Sequence, residues 1–319
     1  MYHVIIDCDP GIDDTLALMY AIQSPQIHID AITITCGNVP AELGFKNVMM
    51  LLERYQQTAI PVYVGATQPL KTPFISAQDT HGEDGLGEAG FQPQQEYQAP
   101  SKTAAEFLAE FYAKPQTTEL IALGPLTNIA LALAKNPAMA QHVPRFVSMG
   151  GCYKSFGNCS PVAEYNYWCD PDAAAAVFQQ MPQIEMVGLD VTREIVLTPT
   201  ILEYMKQTSP EIGTFIEKIT RFYFDFHWQQ ERVLGCVIND PLAVVYALYP
   251  EVCTGFSSYT EICPEGVARG QSIVDAQNFW QKTPNSTILT QVNRDAFFIE
   301  FLGTLLNVTP EIIKQDLFA

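Results

Sequence analysis

Short apolar runs alternate with helical patterns along the first two-thirds of the chain. The apolar runs are His3–Asp7, His28–Cys36, Pro61–Val64, Leu120–Leu123, Arg145–Met149 and Ile184–Leu189. The helical patterns between them are Ile12–Gln23, Ala41–Gln56, Ser101–Ala113, Leu126–Lys135 and Pro171–Gln180. Apolar strands that alternate with helices predict parallel βαβ units, in which helices cover both faces of one sheet. The sequence therefore predicts the α/β class, with a mostly parallel sheet flanked by helices.

We expect a single domain over residues 1–319, built on a Rossmann-like core, because no Pro/Ser linker or charge run divides the chain. The longest stretch without periodicity is Gly65–Pro100, and a loop of this length is usually functional or mobile. After Thr198 the pattern changes, and we interpret the later segments as additions to the same domain. These segments are the helices Pro199–Gln207 and Pro210–Arg232 and the β-like runs Ser257–Cys263, Ser272–Ala276 and Ser286–Thr290.

Composition excludes several classes of function. Asp and Glu number 35 against 17 Lys and Arg, so the net charge is −18 and the chain should repel nucleic acid polymers. No run of about 18 apolar residues predicts a membrane span. The first residues resemble no secretory signal, and the eight cysteines are scattered without a CxxC motif. We therefore expect a reduced, cytoplasmic protein that does not bind membranes.

Four carboxylates follow the first predicted strand within eight residues: Asp7, Asp9, Asp13 and Asp14. Pro10 and Gly11 permit a sharp turn between them, and helix capping explains one or two of the four acids. Crowded carboxylates repel one another unless a cation neutralises them. Oxygen-rich clusters suit hard cations, so the residues predict a Ca²⁺ or Mg²⁺ site.

Other polar residues follow the predicted strands. They are Asn38, Thr127, Asn128, Asn158, Glu164, Asn166, Asp190, Asn239 and Asp240. Each alone is an ordinary turn or capping residue. The carboxyl ends of parallel strands lie at one edge of a sheet, where open α/β folds bind their ligands. Together these residues predict a polar site there that is suited to a sugar.

The sequence resembles the nucleoside hydrolase family, which includes the inosine-uridine-preferring enzymes. The resemblance begins at IIDCDPGIDD (residues 5–14) and runs to about Asp275. The further segments are TCGN at 35–38, HGEDGLG at 81–87, GPLTNIAL at 124–131, MGG at 149–151, GN at 157–158, PVAEYNYWCDPDAA at 161–174, GLDVT at 188–192, NDP at 239–241 and RGQSIVD at 269–275. It implies a homo-oligomer, dimeric or tetrameric, that cleaves the N-glycosidic bond of ribonucleosides with a bound Ca²⁺ and a metal-held water.

The resemblance also implies roles for individual residues. Asp9, Asp14, Asp240 and the backbone carbonyl of Thr127 would bind Ca²⁺, and Asp9 would also take a proton from the attacking water. Contacts to ribose are implied for Asp13, Asn38, Met149, Asn158, Glu164 and Asn166. Asp7 we interpret as structural support.

One position departs from the family pattern. Inosine-uridine-type members carry a His immediately before the last metal-binding Asp, whereas this chain has Asn239. An amide donates a hydrogen bond but delivers no proton at neutral pH, so help for the departing base must come partly from elsewhere. Candidates are His81 in the long loop, and His227 or Tyr223, which share a helix face at i,i+4 spacing.

Three hypotheses follow. The first is a Ca²⁺-dependent ribonucleoside hydrolase whose preferred base the sequence leaves open. The second is a nucleoside-binding relative with weak or altered-base activity, because of Asn239. The third is a phosphohydrolase of the haloacid-dehalogenase type, which also places Asp-x-Asp after a strand.

Overall fold

The computed structural model describes residues 1–318. Its strands, numbered along the chain, are β1 (Tyr2–Cys8), β2 (Ile27–Ile34), β3 (Val62–Val64), β4 (Glu119–Ala122), β5 (Phe146–Met149), β6 (Ile184–Val187), β7 (Val196–Leu197), β8 (Cys236–Val237), β9 (Cys253–Ser258), β10 (Thr260–Ile262), β11 (Ser272–Val274) and β12 (Ser286–Val292).

The α-helices are α1 (Ile12–Gln23), α2 (Ala41–Arg54), α3 (Gln78–His81), α4 (Ala104–Phe111), α5 (Thr127–Lys135), α6 (Met139–His142), α7 (Tyr165–Cys169), α8 (Pro171–Gln180), α9 (Leu189–Thr192), α10 (Pro199–Thr208), α11 (Pro210–Glu231), α12 (Asn239–Leu248), α13 (Arg294–Leu306) and α14 (Pro310–Leu317). Short 3-10 helices occupy Pro250–Val252 and Gly266–Ala268.

Eight strands form one sheet in the order β3-β2-β1-β4-β5-β6-β12-β9. Every neighbouring pair from β3 to β12 is parallel, and β9 alone runs antiparallel, on β12. The chain builds the sheet outward from β1 in one direction and from β4 in the other, which is the Rossmann arrangement. A crevice opens at the carboxyl ends where this direction reverses, between β1 and β4. The predicted fold class is confirmed.

Helices cover both faces of the sheet. On one face α1, α12 and α13 pack together, and on the other α5 packs between α4 and α8. The side chains of β1 alternate accordingly, with Val4 and Ile6 in the first apolar cluster and Ile5 in the second. Burial on both faces explains why this strand is a continuous apolar run in the sequence.

The last third of the chain differs most from the prediction. The predicted run Ser257–Cys263 is two strands, because β9 pairs with β12 in the main sheet whereas β10 pairs with β11 in a separate hairpin. The predicted strand Ile184–Leu189 ends at Val187, since Gly188 caps the short helix α9. The helices α7, α13 and α14 were not predicted.

The state of the cysteines and the length and polarity of the helices also bear on the sequence-based expectations. All eight cysteines lie within the described part of the chain and are free thiols. Taken singly, the helices of residues 1–318 are too short or too polar to cross a membrane. Only α13 and α14 counted together pass that test, and the chain bends by 120° between them.

The carboxylate of Asp170 joins three segments beside the sheet crevice. It caps α8 by accepting from the backbone N–H of Ala173 at 3.0 Å, and it accepts from Leu70 N–H and the Thr127 hydroxyl at 2.8 Å each. The side chain is fully buried, so each of these donors loses its partner if the carboxylate is removed.

We expect Asp170→Ala to lower the free energy of unfolding by about 2–4 kcal/mol, because it removes a helix cap and two buried hydrogen bonds. Denaturant unfolding measures this loss. Asp172→Ala is the matched control: its carboxylate pairs with the exposed Lys71, and such a pair contributes less than about 1 kcal/mol. Equal losses in the two variants would contradict a joining role for Asp170.

Candidate active site

The turn from β1 into α1 is fixed by Asp14. This residue is the third of α1, and its two carboxylate oxygens accept from the backbone N–H of Asp9 at 3.1 Å and of Gly11 at 3.0 Å. The side-chain amide of Asn38 donates to the same carboxylate at 2.9 Å. Burial raises the pKa of Asp14 to about 6, and the charge of Asp13 adds to the shift. The acid therefore organises the turn and still carries charge into the site.

Asp9 lies between two glycines from neighbouring strand ends. Its Oδ2 accepts from the backbone N–H of Asn38 at 2.6 Å, and its side chain is fully buried. A Cβ on Gly37, after β2, or on Gly124, after β4, would overlap the Asp9 carboxylate. The two glycines thus make the space that this carboxylate occupies.

Asp13, Asp14 and Asp240 form a compact acidic cluster, with one carboxylate oxygen from each lying within 4.8 Å of the others. Asp240 belongs to the first turn of α12, which brings it to the start of α1 from the far end of the sequence. Burial raises the pKa of Asp240 strongly, followed by the charges of Asp13, Asp14 and Asp9. The structure therefore places Asp13 in the group, beside the predicted metal ligands Asp14 and Asp240.

Two carboxylate oxygens of this site have no donor among residues 1–318: Oδ1 of Asp9 and Oδ1 of Asp13. Buried carboxylate oxygens are normally hydrogen-bonded, and four acids this close repel one another. A hard divalent cation satisfies both requirements at once, since its ligands are oxygen atoms. The residues present therefore fit a metal site.

Two further predicted residues lie just behind the cluster. Thr127 is the first residue of α5 and is fully buried, with its hydroxyl on Asp170. Asp7 accepts from the Thr33 hydroxyl at 2.5 Å and from the Asn128 amide at 2.8 Å, and burial raises its pKa to about 7. Asp7 and Asn128 therefore connect β1, β2 and α5 beneath the site.

A cavity of about 390 Å³ opens beside the cluster, within the roughly 300–1,000 Å³ of small-molecule sites. Ten of the predicted site residues line it: Asp13, Asn38, His81, Met149, Asn158, Glu164, Asn166, His227, Asn239 and Asp240. Asp9, Asp14 and Thr127 lie outside the lining. Asp190 is also outside it, because its carboxylate accepts from the backbone of Tyr153, Lys154 and Ser155.

Glu164 and Asn166 form the wall at the end of β5. Glu164 caps α7, accepting from the backbone N–H of Asn166 and of Gly151 at 2.8 Å each, and burial raises its pKa to about 7. The amide of Asn166 donates to Leu123 O at 2.7 Å and lies 3.3 Å from the sulfur of Met149. Both polar side chains are thereby held in one orientation toward the cavity.

The chain matches a known protein family over most of its length. The profile of the family described as inosine-uridine preferring nucleoside hydrolase matches residues 4–299. The chain belongs to this nucleoside hydrolase family. It is 34% identical over 297 residues to the pyrimidine-specific ribonucleoside hydrolase RihA of Klebsiella pneumoniae, which covers 92% of this chain and 95% of that protein.

Solved structures of other nucleoside hydrolases show the same fold. A purine-preferring ribonucleoside hydrolase from Gardnerella vaginalis superposes with a TM-score of 0.89 at 29% identity, covering 96% of this chain and 98% of that one. A plant nucleoside hydrolase gives a TM-score of 0.90 at 28% identity, covering 96% and 99%. The chain is thus an enzyme of the class that hydrolyses the N-glycosidic bond of ribonucleosides.

The two histidines that line the cavity of this nucleoside hydrolase, His81 and His227, are held in different tautomers. The backbone N–H of Ile12 donates to Nδ1 of His81 at 3.1 Å, so His81 is neutral and its remaining proton is on Nε2. His227 is 2.9 Å from the carbonyl oxygen of Tyr223 through Nδ1, so that nitrogen carries the proton and Nε2 is the free one. Burial lowers the pKa of both.

The long loop is anchored to α11, which carries Tyr223 and His227. Asp84 accepts from three backbone N–H groups of the loop, those of Leu86, Glu88 and Gly90. Gly87 lies so close to α11 that a Cβ would overlap the carbonyl of Ile219, and Gly87 has a φ of +67°. The rings of His81 and Tyr223 lie 5.2 Å apart. The predicted loop is therefore packed against α11.

Tyr165 and Arg193 are among the residues of the cavity wall that sequence reasoning missed. The hydroxyl of Tyr165 lies 2.8 Å from the carbonyl oxygens of both Gly37 and Ile75, joining α7 to the loop. Arg193 follows α9 and pairs with Glu231 of α11 at 3.2 Å, while its guanidinium lies 3.8 Å from the centre of the Phe156 ring. Tyr165 lies within the recognised segment PVAEYNYWCDPDAA, and Arg193 directly follows GLDVT, so proximity to these segments was the available signal.

We expect Gly124→Ala to lower activity about 100-fold or more, because the added methyl displaces the Asp9 carboxylate and small displacements of a reacting group are costly. Gly124 has no left-handed φ, so the effect reports the overlap rather than backbone strain. Ribose release from nucleosides is the measurement.

Gly90→Ala is the control for this variant. Its added Cβ contacts nothing within 4 Å, although its φ of +70° costs some stability. Full activity in Gly124→Ala, with the fold retained, would show that Asp9 tolerates displacement.

Proposed function

We propose that this enzyme hydrolyses ribonucleosides to ribose and free base with a bound Ca²⁺, and that Asp9 takes a proton from the attacking water. The observation that supports this most is the buried acidic cluster of Asp13, Asp14 and Asp240 beside Asp9, in which Oδ1 of Asp9 and Oδ1 of Asp13 have no donor among residues 1–318. These acids lie beside a cavity whose lining includes side-chain amides and Glu164. A neutral sugar with several hydroxyls suits this mixture of acceptors and donors.

Asp9, Asp14, Asp240 and the Thr127 carbonyl are proposed to hold Ca²⁺, and the position of Asp13 in the cluster makes it a further candidate. When bound, this cation orients ribose hydroxyls and lowers the pKa of water. The oxygen-only donor set favours Ca²⁺ over Zn²⁺, which binds mainly nitrogen and sulfur ligands.

Asp9 has the features of a proton acceptor. Its Oδ2 accepts from Asn38 N–H, while Oδ1 has no donor among residues 1–318. Because a carboxylate oxygen has two lone pairs, Oδ1 could contact the cation and still accept a proton from water beside it. Burial, and then the charge of Asp14, raise its pKa strongly, which increases its affinity for that proton.

The remaining residues of the wall orient and stabilise the sugar. Breaking the C1′–N bond builds positive charge on ribose, which preorganised carboxylates stabilise. Glu164 and Asp13 are fixed by hydrogen bonds from Gly151 N–H and the Asn239 amide, at 2.8 and 3.1 Å respectively, so their positions need little reorganisation during the reaction. Met149 provides apolar contact at the end of β5.

Departure of the base is assigned to the two histidines. His81 has a proton on Nε2 with which it could donate a hydrogen bond to the base, but, held neutral by Ile12 N–H, it is no proton source. His227 donates its Nδ1 proton to Tyr223 O and can carry a second proton on Nε2, so it is the proposed acid. Asn239 cannot take this role, since its amide donates to Asp13 at 3.1 Å.

The contact between Asn239 and Asp13 also supports a second candidate function, that of a nucleoside-binding protein with weak activity. With Asn239 directed to Asp13, a protein without an effective acid would bind nucleosides and release the base slowly. Turnover measurements distinguish this binding protein from an efficient hydrolase.

We expect Asp9→Asn to lower ribose release by about 10²–10⁴-fold, because the amide cannot take a proton.

Removal of Ca²⁺ with a chelator should abolish activity and lower the thermal midpoint, and added Ca²⁺ should restore both, since a cation that binds only the folded chain stabilises it.

The matched control is Asp225→Asn, on the exposed side of α11, which should keep full activity. Undiminished activity of Asp9→Asn would refute the assignment of the base. Activity that survives chelation would refute the requirement for Ca²⁺.

The assignment of His227 as the acid that protonates the departing base is tested by the pH dependence of kcat/KM. Burial lowers the pKa of His227, and the charge of Arg193 adds to this shift. The hydrogen bond to Tyr223 O and the charges of Glu231 and Asp13 oppose it. The protonated form therefore accumulates only below the ordinary value of about 6.5, and kcat/KM for nucleosides should fall as the pH rises through the lowered pKa.

His227→Gln should remove this pH limb and slow natural nucleosides by about 10²-fold or more, while a 4-nitrophenyl riboside, whose leaving group needs no proton, is affected far less. His81→Gln is the matched variant, and it should retain the limb. A limb that persists in His227→Gln would refute the assignment of His227 as the acid.

The nucleosides tested should include both purine and pyrimidine ribonucleosides, because the named relatives differ in base preference. The cytoplasmic location and the dimer or tetramer stay predictions.

A further inference from the structure

A second group of potential metal ligands lies at the opposite edge of the sheet from the active site. His3 of β1 and His28 of β2 are register partners at the amino ends of two parallel strands. Asp30 follows on β2 at a β-bulge, because the register passes from Val4↔Ile29 to Ile5↔Ala31 and leaves Asp30 as the extra residue. Bulges redirect side chains, and here the carboxylate lies against both imidazoles.

The distances match those of a metal site. Nδ1 of His3 lies 3.0 Å from Oδ1 of Asp30, and Nε2 of His28 lies 3.4 Å from the same oxygen. All three ligand atoms are within 4.8 Å of one another. Metal bonds of about 2.0–2.1 Å in a tetrahedron place neighbouring ligand atoms roughly 3.3 Å apart.

The carboxylate is also oriented from behind. The hydroxyl of Thr118 donates to Oδ2 of Asp30 at 2.7 Å, and Nδ1 of His3 lies 3.2 Å from that oxygen as well. Oδ1 is the oxygen that lies near both imidazoles. Such a partner outside the ligand set is typical of metal sites, where it fixes a ligand's direction. The side chains of His3 and His28 are 44% and 54% exposed, so an ion has access from solvent and water can complete its shell.

We propose that His3, His28 and Asp30 form a binding site for a divalent transition metal of the Zn²⁺ class, which joins the amino ends of β1 and β2. Two imidazole nitrogens with one carboxylate oxygen favour Zn²⁺ over Ca²⁺, which selects oxygen ligands. The site is thus chemically distinct from the acidic cluster and independent of the catalytic proposal.

The experiment uses the full chain without a polyhistidine tag, saturated with Ca²⁺ so that the acidic cluster is filled. Zn²⁺ is then titrated by calorimetry, with the thermal midpoint as a second readout. We expect one Zn²⁺ per chain and a rise of about 2–5 °C at saturating Zn²⁺.

His3→Gln and His28→Gln should each lose this binding and the rise in midpoint, whereas His142→Gln, whose ring contacts Tyr112 O elsewhere, should keep both. Circular dichroism and ribose release in Ca²⁺ verify that the variants fold, since neither exposed histidine lies in the active site. Zn²⁺ binding that is equal in all four proteins, or no saturable binding by the wild type, would overturn the proposal.

Discussion

The site depends on keeping several carboxylates buried together against their mutual repulsion. The chain achieves this by supplying backbone and amide donors from different elements: Asn38 N–H for Asp9, Gly11 N–H for Asp14, and the Asn239 amide for Asp13. Both oxygens of Asp14 are satisfied in this way, whereas Asp9 and Asp13 each keep one oxygen without a donor among residues 1–318. The field that remains is negative and concentrated, and a field of this kind attracts cations.

The sheet determines where these donors stand. Because β1, β2 and β4 are adjacent and parallel, their carboxyl ends bring residues 9, 37 and 124 into contact, and only glycine at the last two leaves space for the Asp9 carboxylate. In the strand order β3-β2-β1-β4-β5-β6, the chain changes the direction in which it builds the sheet between β1 and β4. The crevice that holds the site lies at this point.

The sequence predicts local features well and distant pairings poorly. The apolar runs that became β1 to β6, and the acids that follow β1, are visible because their pattern is contained in a few residues. The contact of Asn239 with Asp13 joins residues 226 positions apart, and the insertion of β12 between β6 and β9 depends on pairing that no local pattern encodes. The tautomers of His81 and His227 likewise depend on Ile12 N–H and Tyr223 O, which only the folded chain brings to the rings.

The cavity has two walls with separate supports. Asp9, Asp13 and Asp14 follow β1 of the main sheet, and Asp240 lies in the first turn of α12. His81 and His227 instead stand on the long loop and on α11, which pack on each other through Gly87 and Ile219. Substitutions in the loop or α11 therefore reshape one wall while the sheet edge keeps its geometry. Substitutions in the loop and α11 can therefore change which nucleobase is accepted during evolution, while the acidic residues keep their positions.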